Sequence, residues 1–107
     1  MMWRVEFLSE ALEDMKRLDG SVRMRVLKAI RKTSQNPLPQ SEGGYGKPLG
    51  HRHALDLVGL YKIKLRGDGV RVVYRLERRD GAMVVVVVGV RSDLDVYREA
   101  ERRRRTS

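Results

Sequence analysis

The stretch Tyr61-Lys62-Ile63-Lys64-Leu65-Arg66-Gly67-Asp68-Gly69-Val70-Arg71-Val72-Val73-Tyr74 decides how this chain folds. Tyr61, Ile63 and Leu65 alternate with Lys62, Lys64 and Arg66, the period of a half-buried strand. Asp68-Gly69 is the preferred dipeptide of a two-residue type I′ hairpin turn. Such a turn sets Gly67 against Val70, and therefore Leu65 against Val72, Ile63 against Tyr74 and Tyr61 against Leu76. These apolar pairs define one sheet face. On the other face Lys64 meets Val73, Lys62 meets Arg75 and Arg66 meets Arg71. A one-residue slip would mix the two sets, so the faces are well specified.

Downstream, Asp80-Gly81 repeats the device. With Arg79 against Ala82, Val85 meets Leu76 and Val87 meets Tyr74 on the core face, while Val86 and Val88 fall with Val73 on the other. The run Met83–Val88 reads as a central strand covered on both sides. Asp93–Arg105 reads as a short last helix, with Arg102-Arg103-Arg104-Arg105 as a frayed, solvated end or an RNA contact.

Upstream, residues 36–58 are rich in Pro, Gly, Ser and Gln as far as Gly50 and read as irregular. Before them, Ser21–Gln35 shows a helical stripe of Val22, Val26, Leu27 and Ile30 against a basic wet side. Asn36-Pro37-Leu38-Pro39 ends it. A first helix starts at Ser9 as N-cap, with Leu8, Leu12, Met15 and Leu18 on one face and Asp19-Gly20 as the break. Trp3-Arg4-Val5-Glu6-Phe7 alternates as a strand. The expected fold is α+β: an N-terminal strand, a two-helix hairpin, a three-stranded antiparallel meander and a short C-terminal helix. The sheet is mostly antiparallel, with the helices over one face. A chain of 107 residues is expected to form a single domain, 1–107, with one modest core.

Cysteine is absent, which excludes disulfides and thiolate metal sites. The longest apolar run, Ala82–Val88, is far too short to span a bilayer. Met1-Met2-Trp3-Arg4 opens no apolar leader, so a cytoplasmic location is expected, without membrane association. The charge is +9, from 23 Lys+Arg against 14 Asp+Glu. Residues 61–107 carry +6 of that excess. Such a surplus favours a polyanionic partner, because each cation that meets a phosphate releases condensed counterions.

The second sheet face sharpens this expectation. It sets like charges opposite each other, which is unfavourable, where a solvated polar face would normally interleave both signs. Lys62, Lys64, Arg66, Arg71 and Arg75 stand there with no acid among them, and Val73, Val86 and Val88 lie between. A phosphate chain with its bases across the valines fits this surface, as does an amphipathic protein segment. The alternative is that the C-terminal helix covers the valines, using Leu94, Tyr97 and Ala100.

At this point Tyr61–Arg66, Gly69–Tyr74, Val88-Gly89-Val90-Arg91 and Asp95-Val96-Tyr97 resemble the RelE toxin family over nearly the whole chain. The resemblance implies a catalytic set of Lys62, Lys64, Arg71, Arg91 and Tyr97, with Arg66 and Arg75 as further RNA contacts. It implies cleavage of mRNA in the ribosomal A site by attack of a ribose 2′-oxygen on the adjacent phosphorus. The products would be a 2′,3′-cyclic phosphate and a free 5′-hydroxyl, with no metal and no cofactor. By the same resemblance Lys62 and Lys64 share base and charge-stabilising roles and Arg71 holds the phosphate. Arg91 serves the leaving group, and Tyr97 orients the 2′-hydroxyl or stacks on a base. The implied partners are mRNA, the 70S ribosome and an acidic RelB-like antitoxin, the last in a complex such as a heterotetramer.

Two rivals stay open: a ParE-like gyrase-inhibiting toxin, and a catalytically silent RNA- or antitoxin-binding module. His51 and His53 would suit a general acid–base nuclease but read first as exposed loop residues. No third ligand completes a metal site with them. Gly43-Gly44-Tyr45-Gly46-Lys47 only superficially resembles a phosphate loop, since it lies between no strand and helix.

Overall fold

The computed structural model describes residues 3–106, with side chains as far as Arg104. Met1, Met2 and the side chain of Arg105 lie outside the described residues. The elements are β1 (Arg4–Phe7), α1 (Ser9–Lys16), α2 (Gly20–Thr33), β2 (Lys47–Arg52), β3 (Leu55–Leu65), β4 (Val70–Glu77), β5 (Ala82–Gly89) and α3 (Asp93–Thr106). The sheet runs β1-β5-β4-β3-β2, with β1 parallel to β5 and every other pairing antiparallel. The α+β expectation holds, with one strand more than expected.

Both Asp-Gly dipeptides turn the chain, but not as type I′ turns. Leu65 pairs with Val70 and Glu77 with Ala82, so each loop has four residues and not two. A type I′ turn needs positive φ at both central residues. Here only Gly69 (φ +65°) and Gly81 (φ +61°) have it, and Asp68 and Asp80 do not. Asp68 instead accepts two hydrogen bonds from Arg25 of α2, at 2.8 and 2.9 Å. The register therefore slips by two: Ile63 meets Val72, Tyr61 meets Tyr74, Lys62 meets Val73 and Lys64 meets Arg71. A slip of two preserves the faces, so the expected partition of β3 and β4 survives.

A bulge in β5 then breaks the expected parity. Tyr74 pairs with Val85 but Val73 pairs with Val87, leaving Val86 as the extra residue. Val88 consequently joins the core under α1 and α2, and Val87 joins Val73 and Val86 on the opposite face. No repeat in a run of five valines can reveal where such a bulge sits.

The two faces are covered by different helices. Ala11, Met15, Val26 and Ile30 of the helical hairpin pack on Val70, Val72, Tyr74, Met83 and Val85. Val96, Tyr97 and Ala100 of α3 pack on Val73, Val86 and Val87, with Leu49, Leu57 and Leu60 completing that core. The helices thus cover both faces rather than one, and Val73 and Val86 are fully buried. They offer no surface to RNA or to a partner while α3 is seated.

In α1 the buried side is Ala11, Asp14 and Met15, while Leu12 is exposed. Ser9 is the first helical residue, not the cap; Leu8 holds the cap position. β2 lies in the stretch read as irregular. Leu49 is its one buried residue, too few for a period-two signal. Gly44 and Gly46 are required by packing: a Cβ would stand 2.0 Å from the Leu38 oxygen at Gly44, and 2.8 Å from the Tyr74 hydroxyl at Gly46. Tyr74 donates that hydroxyl hydrogen to the Pro37 oxygen at 2.9 Å.

The arginine run ending α3 is no frayed tail. Arg103 is 6 % exposed and donates to Asp14 of α1 at 2.6 and 3.2 Å, and to the Val86 oxygen at 2.9 Å. Asp14 also accepts the Val88 N–H at 3.0 Å. The two side chains therefore satisfy backbone groups that flank the bulge, where the ladder is interrupted. Arg104 donates to the Asp56 oxygen at 3.2 Å, and Arg102 pairs with Glu99 and Glu10.

Candidate active site

The site is built where the ends of β3 and β4 meet the start of α3. Strand parity points Lys62 and Lys64 to the α3 side of β3 and Arg71 to the same side of β4, with Lys64 and Arg71 directly opposite. Two like charges in register repel each other, and an anion between them relieves that repulsion. The chain supplies one: Asp93, the first residue of α3. Arg71 Nε donates to its carboxylate, and Lys64 Nζ lies 3.5 Å from Asp93 Oδ2. Arg71 Nη1 also donates to the Gly69 oxygen at 3.1 Å and the Arg91 oxygen at 3.0 Å. The bond from Arg71, aided by the charges of Arg71 and Lys64, holds the Asp93 carboxyl below its ordinary range. The face expected to lack acids therefore has one at its centre.

Lys62 stands beside this group. It faces Val73 on β4 and, across the other edge of β3, Lys47 on β2. Partial burial pushes its ammonium below the ordinary value, and the charges of Arg52, Lys64 and Lys47 push the same way against Asp93. Desolvation and neighbouring cations both disfavour a charged lysine. Lys47 and Arg52 are contributions of β2, so the sequence reading, which had no β2, missed them.

Tyr97 lies one helical turn after Asp93, so both are on the same side of α3. Only 1 % of the residue is exposed, and its buried hydroxyl has no hydrogen-bond partner among the described residues. Burial, and then the nearby Asp93 charge, raise its pKa, while Arg52 and Arg71 oppose. The ring of His53 stands 6.5 Å from the Tyr97 ring, centroid to centroid, at 34°. His53 is exposed, as expected, yet the hairpin β2–β3 carries it to the site. His51 is exposed too, with Nε2 3.6 Å from Asp56.

The remaining expected residues are placed less centrally. Arg91 is exposed and joins the cluster through its backbone oxygen; its side chain lines the cavity between the helical hairpin and α3. Arg66 lies in the exposed β3–β4 turn, not opposite Arg71, because of the slip in register. Arg75 faces Leu60 rather than Lys62 and is bound to Glu77 at 2.9 Å. The structure thus brings Lys62, Lys64, Arg71 and Tyr97 together around Asp93.

Residues 5–97 match the family described as ParE toxin of type II toxin–antitoxin system. The chain is 32 % identical over 108 residues to a protein of Escherichia coli described as a RelE-like toxin, covering 98 % of this chain and 100 % of that one. This chain is a RelE-type toxin of the RelE/ParE superfamily. It is also 29 % identical over 103 residues to the mRNA interferase toxin RelE of Escherichia coli K12, covering 96 % and 98 % of the two chains. A doubly substituted Escherichia coli RelE, solved with an antitoxin RelBc peptide, superposes with a TM-score of 0.68 at 27 % identity. That superposition covers 94 % of this chain and 95 % of the other. Among the described residues of this RelE-type toxin, no helix is long and apolar enough to cross a membrane.

Proposed function

We propose that this toxin is an endoribonuclease that cuts mRNA in the ribosomal A site. The observation that carries the reading is the gathering of Lys62, Lys64 and Arg71 around one anion position above Tyr97. The relative named mRNA interferase supports the same class of reaction. Intramolecular cleavage of RNA needs a base at the 2′-hydroxyl, a proton for the leaving 5′-oxygen and cations about the phosphorane. Lys62, whose ammonium is destabilised by partial burial and neighbouring cations, first gives up its own proton and, as the neutral amine, takes the 2′-hydroxyl proton. The 2′-oxygen then bonds to phosphorus as the bond to the 5′-oxygen breaks. Lys64 and Arg71 hold the equatorial oxygens, and the family resemblance assigns the leaving group to Arg91, which is exposed and stands at the edge of the cluster.

Arginine is a poor proton donor, since it hardly deprotonates. The leaving oxygen therefore lacks a strong acid, and cleavage of free RNA should be slow. Holding the message bent and in register on the ribosome supplies the orientation that is missing. Tyr97 is buried, so its role in this reading is to support the floor of the site rather than to stack on an exposed base. An acidic, RelB-like antitoxin is the proposed partner, in keeping with the antitoxin peptide bound to the RelE relative. The cytoplasm, where ribosomes work, is the proposed location.

The test is primer extension on an mRNA paused in 70S ribosomes, with the protein and with Arg71→Ala and Arg91→Ala. Cuts at the A-site codon, weakened in both variants and absent on naked RNA, establish the reading. The family description names ParE, so inhibition of gyrase is the second reading. Supercoiling inhibition by a folded protein that leaves paused mRNA uncut would establish that one.

A further inference from the structure

Asp93 competes for the place the substrate must take. Its carboxylate lies between Lys64 and Arg71, the two cations that stand directly opposite each other. Arg71 does not depend on it for orientation. The Gly69 and Arg91 oxygens hold Nη1 at 3.1 and 3.0 Å, and both are backbone groups that stay when the carboxylate leaves. The Asp93 side chain is 37 % exposed, so it can rotate into water without moving α3. By contrast, among the described residues neither Lys47 nor Lys62 has a carboxylate within ion-pair distance, although they face each other across β2 and β3. The site therefore has two halves. One already holds an anion, and the other lacks one.

This arrangement sorts ligands by length. A single phosphate entering between Lys64 and Arg71 exchanges one anion for another and gains little. A strand that also lays its next phosphate over Lys47 and Lys62 gains an ion pair that no carboxylate makes with them among the described residues. We propose that Asp93 is a specificity-determining residue of this site: its carboxylate fills the phosphate position between Lys64 and Arg71, so an RNA strand displaces it and a lone phosphate does not. The inference rests on the reading of the site as one for RNA.

The experiment measures calorimetric binding of two probes to the full chain. One probe is a short 2′-O-methyl RNA, which lacks the attacking hydroxyl; the other is inorganic phosphate. The proteins are wild type, Asp93→Asn, Asp93→Ala and Asp95→Asn, each checked for folding by circular dichroism. Asp95 is exposed and two residues along α3, so its variant makes the same charge change away from the cations. Removing the competitor should tighten RNA binding about tenfold in both Asp93 variants and bring out phosphate binding that wild type lacks. Asp95→Asn should stay within about twofold of wild type, as exposed charges do. Equal effects at positions 93 and 95, or weaker binding by the Asp93 variants, overturn the proposal. If no variant binds RNA, the RNA reading falls with it. If the Asp93 effects appear but paused ribosomes show no cuts, the competitor stands and only the nuclease reading falls.

Discussion

Arg103 of α3 and Asp14 of α1 meet at 2.6 Å past the end of β1, with 7 % and 8 % of their side chains exposed. They reach each other from opposite faces of the sheet and share the backbone of the β5 bulge. The helix that covers the candidate site is thus fastened to α1 by this buried ion pair, with the more exposed Glu10 of α1 pairing Arg102 and Arg103 beside it.

Arg103→Ala should destabilise the protein by about 3–5 kcal/mol, because it leaves the buried Asp14 with only the exposed Arg17, 3.6 Å away, as a charge partner. Asp14→Ala should cost a similar amount. The double variant Asp14→Leu with Arg103→Met should cost clearly less than the two single costs added, since no buried charge remains. Urea unfolding of the four proteins checks this. Strict additivity would show that the pair is not coupled.

Glu99, beside Arg103, has its pKa held down at about 2 by the Arg102 hydrogen bond first and Arg103 next, against partial burial. A carboxyl depressed in the folded state contributes stability above its unfolded value, near 4.5. That contribution is lost as pH falls towards 2. Thermal melts between pH 6 and the acid limit should show wild type losing more stability below about pH 4.5 than Glu99→Gln does. Parallel curves would refute the assignment.

The lowered pKa of Lys62 predicts how cleavage depends on pH. A lysine that acts as base gains activity as pH rises and levels off once its proton is lost. With the pKa pushed down, the plateau should come below 10.5, the ordinary lysine value. Lys47→Ala removes one of the cations that push it down, so the plateau should move to higher pH. Lys62→Arg keeps the charge but not the base, and should slow single-turnover cleavage on ribosomes by about a hundredfold. An unchanged rate in that variant would remove Lys62 from the chemistry.

The β2–β3 turn predicts a stabilising substitution. His53 (φ 53°) and Ala54 (φ 62°) both adopt left-handed backbone, which costs a residue with a Cβ roughly 1–2 kcal/mol. Ala54→Gly removes that strain and should stabilise by up to about 1 kcal/mol, the gain being reduced by the entropy of glycine in the unfolded chain. A fall in the urea midpoint would contradict the turn geometry.

What could be read from sequence was whatever depends on near neighbours. Alternation from Tyr61 to Tyr74 marked the strands, and the stripe Val22, Val26, Leu27, Ile30 marked α2. Lys62, Lys64 and Arg71 fell on one face despite the wrong turn type, because a slip of two leaves parity unchanged. Their identity as a functional group came with the family resemblance. Asp93 escaped notice because an acid in a first helical turn is ordinary. Lys47 escaped because its strand has a single buried apolar residue.

Sequence by itself therefore determined the elements of the meander, the face on which its cations stand and the family to which they belong. Local chain geometry decides the first two, and the resemblance of the residues themselves gives the third. Tertiary structure alone decided the bulge at Val86, the seating of α3 over the valines, the burial of Arg103 on Asp14 and the placing of Asp93 between Lys64 and Arg71. Each of these joins residues from separate elements, brought together by packing that no local periodicity encodes.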